Sequence, residues 1–104
     1  LADRILLVVS GEFGRTPKIN RSAGRDHWGP LCTLALAGGG LKTGQAIGTT
    51  GELGTKTLEH PVSVPDLHAT IYAALGINPA KELYDGVRPV PITDNGRAVG
   101  RALA

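Results

Sequence analysis

Apolar positions along the chain fall into a few short runs separated by glycine- and proline-rich stretches. Residues 5–9, Ile5-Leu6-Leu7-Val8-Val9, form an unbroken aliphatic run, the pattern of a central strand covered on both faces. Residues 31–37 predict a second strand, stopped by Gly38-Gly39-Gly40, where glycine permits positive φ or a close backbone approach. Lys42-Thr43-Gly44-Gln45 reads as a turn and residues 46–49 as a weak hairpin strand. The clearest helix is 65–75. Ser63 is placed to cap it, with Asp66 three residues on as the second half of a capping box. Leu67, Ile71, Ala74 and Leu75 recur at helical spacing as its core stripe. Gly76 and Pro79 end it. From Asp85 onward the pattern predicts a surface-hugging segment with a turn at Asp94-Asn95-Gly96.

Composition changes this picture in one respect. The chain has 104 residues, one domain at most, with 41% hydrophobic and 19% charged residues, a globular balance. Only Phe13, Trp28, Tyr72 and Tyr84 are aromatic, so a core must be aliphatic. The 15 glycines and 7 prolines demand many ordered loops. A chain so rich in loops buries little area per residue and is expected to need further polypeptide to close its core. The first residue is not Met, which suggests a fragment of a larger parent domain. No signal-peptide pattern precedes the first strand, and localisation is not readable from this end.

A net charge of +2 with no block of like charges argues against nucleic acid as a partner. The apolar runs are too short to span a bilayer. The lone cysteine, Cys32, excludes an internal disulfide and, lying among apolar neighbours, is expected as a core thiol.

The polar, glycine-punctuated stretch from Ser10 to Trp28 carries the candidate chemistry. It leaves the end of a strand, where α/β proteins place their sites, and it is long for a structureless connection. Glu12, Asp26 and His27 supply carboxylate oxygen and imidazole nitrogen, the donors a divalent ion (zinc, calcium, magnesium or manganese) takes. The opposing reading is a structural network: Asp26 capping a turn, His27 donating to a carbonyl, Glu12 paired with Arg15 or Arg25. Arg15, Lys18 and Arg25 are candidate anion binders, since a guanidinium fork matches phosphate or sulfate oxygens. Against this stands a solvated loop face. Thr16 could offer a hydroxyl, but no adjacent base marks it as a nucleophile. His60 is expected in solvent, and His68 on the helix surface or in packing rather than as a ligand. Gly38-Gly39-Gly40 lacks the lysine and following helix of a phosphate loop.

Four ordered blocks, Gly11-Glu12-Phe13-Gly14-Arg15-Thr16-Pro17, Gly24-Arg25-Asp26-His27-Trp28, Ala37-Gly38-Gly39-Gly40-Leu41 and Asp66-Leu67-His68-Ala69-Thr70, resemble the C-terminal part of the sulfatase-like proteins of "domain of unknown function 1501". That family is similar to the alkaline-phosphatase/sulfatase superfamily. The resemblance aligns Ser10 to Gly14 with a Ser-Asp-His-Gly-type metal motif, His27 with a later metal histidine, and Asp66 to Thr70 with an Asp-x-x-Pro-Thr helix start. One position departs from the metal motif: Phe13 stands where it has a histidine. The superfamily's nucleophile and first metal carboxylates would lie N-terminal to this chain.

The resemblance implies a fold class: residues 1–104 as the C-terminal portion of an alkaline-phosphatase-like α/β sandwich, loop-rich and with a mixed sheet. It implies a metal-dependent hydrolase of sulfate or phosphate esters, with Glu12 and His27 holding the ion, Asp26 a weaker candidate, and Arg15 and Arg25 clamping an anionic substrate. It also implies export to the periplasm or beyond. The alternative is a non-catalytic protein of the same fold whose 10–28 loop binds a ligand, a glycan or a protein. A third reading is a structural or export-related parent in which the loop is only a well-paired polar network.

Overall fold

A computed structural model describes residues 1–104. The chain mixes helix and strand. Its strands are β1 (Leu6–Val9), β2 (Gly14–Arg15), β3 (His27–Trp28), β4 (Ala35–Gly38), β5 (Thr49–Thr50) and β6 (Thr57–Glu59), then β7 (Glu82–Asp85) and β8 (Arg88–Pro91) beyond the one α-helix, α1 (Val64–Ala74). They pair two by two: β1 with β4, β2 with β3, β5 with β6, β7 with β8. The last three pairs are antiparallel. Two compact units result, one from Leu1–Leu7, Ala37–Ala46 and Val62–Ala104, the other from Val8–Leu36 and Ile47–Pro61.

In the first unit α1 forms where the sequence signals it. Ser63 is extended (φ −78°, ψ 164°) and its Oγ accepts the Asp66 N–H. At the far end Gly76 takes φ 79°. Its N–H donates to the Ala73 carbonyl at 3.0 Å, and the Ile77 N–H to the Tyr72 carbonyl at 2.9 Å. This reciprocal pair closes the helix, as a left-handed glycine permits. The buried face, however, centres on Ala69 and Thr70 rather than on the expected aliphatic stripe, and Leu75 is 56% exposed. The reason is that backbone, not side chains, covers the helix, and small residues admit it. Gly40 abuts the Ala74 carbonyl, while Gly38 and Gly39 abut the carbonyls of Ile5 and Asp3, so a Cβ at any of the three would collide.

The other cover is residues 93–99. The turn Thr93-Asp94-Asn95-Gly96 has both central residues left-handed (φ 51° and 62°), the conformation Asp and Asn tolerate best among residues with a Cβ. Gly96 then presses against the Pro65 carbonyl, where no side chain fits. Beyond it, Asp66 Oδ1 accepts the Arg97 N–H and Thr70 Oγ1 accepts the Val99 N–H, both at 2.9 Å. The Thr70 hydroxyl donates in turn to the Asp66 carbonyl at 2.7 Å. Four helical residues rise about 6 Å, and two extended residues advance about 6.6 Å. Side chains at i and i+4 of the helix therefore match N–H groups at j and j+2 of the strap. The Arg97 N–H, and next the Ser63 hydroxyl, hold the Asp66 carboxyl below its ordinary value of 3.8. Thr93, also buried, donates to the Pro79 carbonyl.

The expected surface-hugging tail contains a hairpin. Asp85 pairs with Arg88 across Gly86-Val87, and Gly86 has φ 64°. Glycine at the first position of a two-residue loop suits such a turn. Register explains how β8 tolerates two prolines. The closing pair Asp85–Arg88 is hydrogen-bonded, so Tyr84–Pro89 and Glu82–Pro91 fall at the alternate positions whose N–H would point away from the partner. The ladder resumes at Ile92, whose N–H donates to the Lys81 carbonyl.

Four further expectations change. The strand at 5–9 forms, but only Leu6 is partly covered, and β4 is its only partner. The second strand starts at Ala35, not residue 31. The chain over 31–34 instead follows Pro30 with the Leu31 carbonyl against Gly14, and Leu31 and Leu34 are half-buried. Cys32, between them, is exposed rather than in a core. Finally, the hairpin strand expected at 46–49 shrinks to Thr49–Thr50, because Gly48 turns left-handed (φ 87°) just before it.

Thr70→Val, nearly isosteric, leaves the Val99 N–H without its acceptor and is expected to destabilise the intact protein by about 1–3 kcal/mol in denaturant unfolding. Asp66 ionisation stabilises the fold at pH above 3.8, and this contribution is lost as pH falls through the lower native value. Asp66→Asn should therefore flatten the acid limb of the stability–pH profile without shifting its neutral region's slope.

Candidate functional site

The loop expected to carry chemistry belongs to the second unit and is folded on itself. The β2–β3 ribbon sets Gly14 opposite Trp28 and Arg15 opposite His27. The Thr16 N–H extends the ribbon by donating to the Asp26 carbonyl at 3.0 Å. Thr16 Oγ1 donates to the Lys18 carbonyl and accepts the Asp26 N–H, so its hydroxyl is spent on the loop. Asn20 organises the distal turn. Its Oδ1 accepts the N–H groups of Ser22 and Gly24, and its Nδ2 donates to Asp26 Oδ1 at 2.9 Å. A side chain that mimics a backbone turn is the habit of asparagine in loops.

Two arginines brace the ribbon from opposite sides. Arg15 Nη1 donates to the Arg25 carbonyl at 3.2 Å, and Arg25 Nη1 donates to the carbonyls of Thr16 and Pro17 at 2.8 and 2.9 Å. Their charge is not consumed by carboxylates. The chain's ion pairs are Asp85–Arg88 and the N-terminus with Asp3, both outside this loop.

Of the candidate metal ligands, Asp26 is bound to Asn20. His27 lies against Phe13, ring centroids 4.0 Å apart at 34°, with the Arg15 guanidinium 5.8 Å from the Phe13 centroid. Glu12 is exposed and makes neither hydrogen bond nor ion pair. No group of three or more His, Cys, Asp or Glu side chains is placed to hold a metal ion. Phe13 thus covers part of the neighbouring imidazole. His60 and His68 are both exposed, as expected.

Sequence reasoning missed the second wall of the site. Trp28 Nε1 donates to the Gly54 carbonyl at 2.9 Å, which fixes the indole against the 51–54 turn. Gly54 is left-handed (φ 62°), and a Cβ there would come within 2.8 Å of Pro17 Cγ. Between these segments lies an open cleft of about 710 Å³ walled by Trp28, Leu53, Pro17 and Ile19, with Lys18 and Arg21 on its lining. Gly51 and Gly54 are the one local turn signal available there. Nothing local signalled that this turn docks on a tryptophan 26 residues earlier.

The family described as "Protein of unknown function (DUF1501)" matches residues 1–103. The chain belongs to that family. No curated protein and no solved structure matches it.

Gly54→Ala should cost about 1–2 kcal/mol from the left-handed backbone alone, with the Pro17 contact adding to it. Urea unfolding of the intact protein checks this, and faster hydrogen exchange at Gly51 and Gly54 should accompany it.

Proposed function

We propose that residues 10–28 are an anion-binding element in an alkaline-phosphatase-like α/β sandwich, to which this chain contributes the C-terminal part, and that the element holds its ligand without catalysing. One observation carries the reading. The loop carries four cations (Arg15, Lys18, Arg21, Arg25) against two carboxylates (Glu12, Asp26), and none of the four is in an ion pair. Such an imbalance is held at the cost of mutual repulsion, which a bound sulfate or phosphate group relieves. Arg15 and Arg25 spend Nη1 on carbonyls. Their Nε and Nη2 donors remain for an oxyanion, now on side chains already immobilised. The exposure of β1 fits an origin in a larger sandwich, where a run such as Leu6-Leu7-Val8-Val9 is covered by further polypeptide.

A second reading, a metal-dependent hydrolase of sulfate or phosphate esters, is favoured by the freedom of Glu12 and His27, which make no hydrogen bond. By themselves they do not make a metal site. They would need donors from outside these residues.

Calorimetric titration of the intact protein with inorganic sulfate and phosphate distinguishes the two. Binding should weaken as salt shortens the Debye length from about 30 Å at 0.01 M to 8 Å at 0.15 M. Lys18→Ala should weaken it roughly fivefold, about 1 kcal/mol. Release of phenol from phenyl sulfate or phenyl phosphate, lost in Glu12→Ala and His27→Ala, would establish the hydrolase instead.

A further inference from the structure

We infer that the cleft beside the loop takes an organic anion with a flat apolar ring, the ring lying on Trp28 and Leu53 and the anionic group meeting Lys18 and Arg21. This rests on the anion-binding reading of the loop and names the ligand class. The cleft's volume, about 710 Å³, lies within the range of about 300–1,000 Å³ typical of small-molecule sites. A bare tetrahedral anion would leave most of that space, and its apolar walls, in water.

The walls are set for a ring. The single polar atom of the indole is already satisfied by the Gly54 carbonyl, so the ring is fixed in place and offers the cleft only apolar surface. Leu53 is 75% exposed and Ile19 51% exposed, area that a seated ring would take out of water. The charge is set for an anion. Asp26, the one acid on the lining, is tied to Asn20. Lys18 and Arg21 are in no ion pair.

Three probes at neutral pH, titrated calorimetrically into the intact protein, test this: inorganic sulfate, 2-naphthalenesulfonate, whose carbon–sulfur bond resists hydrolysis, and neutral 2-naphthol. The sulfonate should bind at least about tenfold more tightly than either of the others. Leu53→Ala, at an exposed loop tip, should weaken the sulfonate threefold or more, on the order of one buried aliphatic contact, and leave sulfate unchanged. The double variant Lys18→Ala, Arg21→Ala should weaken the sulfonate at least about fivefold and leave the naphthol unchanged. Sulfonate no tighter than sulfate, or indifferent to Leu53→Ala, overturns the ring subsite while the anion-binding loop stands. Sulfonate no tighter than naphthol overturns the role of the two cations. Binding of neither sulfate nor sulfonate overturns the anion-binding loop itself, and the subsite with it.

Discussion

Two side chains one helical turn apart, Asp66 and Thr70, hold the backbone of the C-terminal strap by its N–H groups at Arg97 and Val99. Much of the first unit depends on this pairing. It fixes the strap's register, because a shift by one residue would turn both N–H groups to the other side. It also takes the place of what the helix lacks, an apolar partner. The fully buried residues are Ala69, Thr70 and Thr93, two of them hydroxylic. Close backbone packing at Gly40 and Gly96 stands in for the interdigitated aliphatic side chains of an ordinary core. Such packing tolerates little change in size, but its hydrogen bonds give it a defined geometry.

The second unit is held by the same economy. It contains no fully buried residue. Its order comes from Thr16, Asn20, Arg15 and Arg25, each bonding backbone groups across the loop. An arginine that braces a carbonyl with one nitrogen keeps its full charge, so bracing and anion binding are compatible in one side chain. The imidazole of His27 lies tilted against Phe13, so an aromatic contact and not a hydrogen bond sets its position.

Local signals in the sequence were legible where local chemistry decides the structure. Ser63, Asp66 and Gly76 announced α1 to within one residue, and Asp94-Asn95-Gly96 its turn. The strand at 5–9 was legible as a strand, though its cover was not. The helix face was misjudged because helical spacing of Leu67, Ile71 and Leu75 cannot reveal that glycine backbone and a strap lie on Ala69 and Thr70. Within the site, the loop and its charged residues were visible. Their partners were not, because an arginine bonding a carbonyl leaves no complementary charge to read. The contact of Trp28 with Gly54 is a meeting of distant segments that no short pattern encodes.

The prolines of β8 have a consequence for association. Leu83, Tyr84, Val87 and Val90 leave the β7–β8 hairpin apolar and open to water, with Val87 97% exposed. A ribbon of this kind ordinarily invites another strand to add at either margin. Along β8 the outward N–H groups at Pro89 and Pro91 do not exist, so that margin offers an arriving strand no donors there. Along β7 the outward positions are Glu82 and Tyr84, which keep both donor and acceptor. The hairpin is therefore one-sided: any strand that joins it, from this polypeptide or another, joins at β7, beside a carboxylate that disfavours an acidic newcomer.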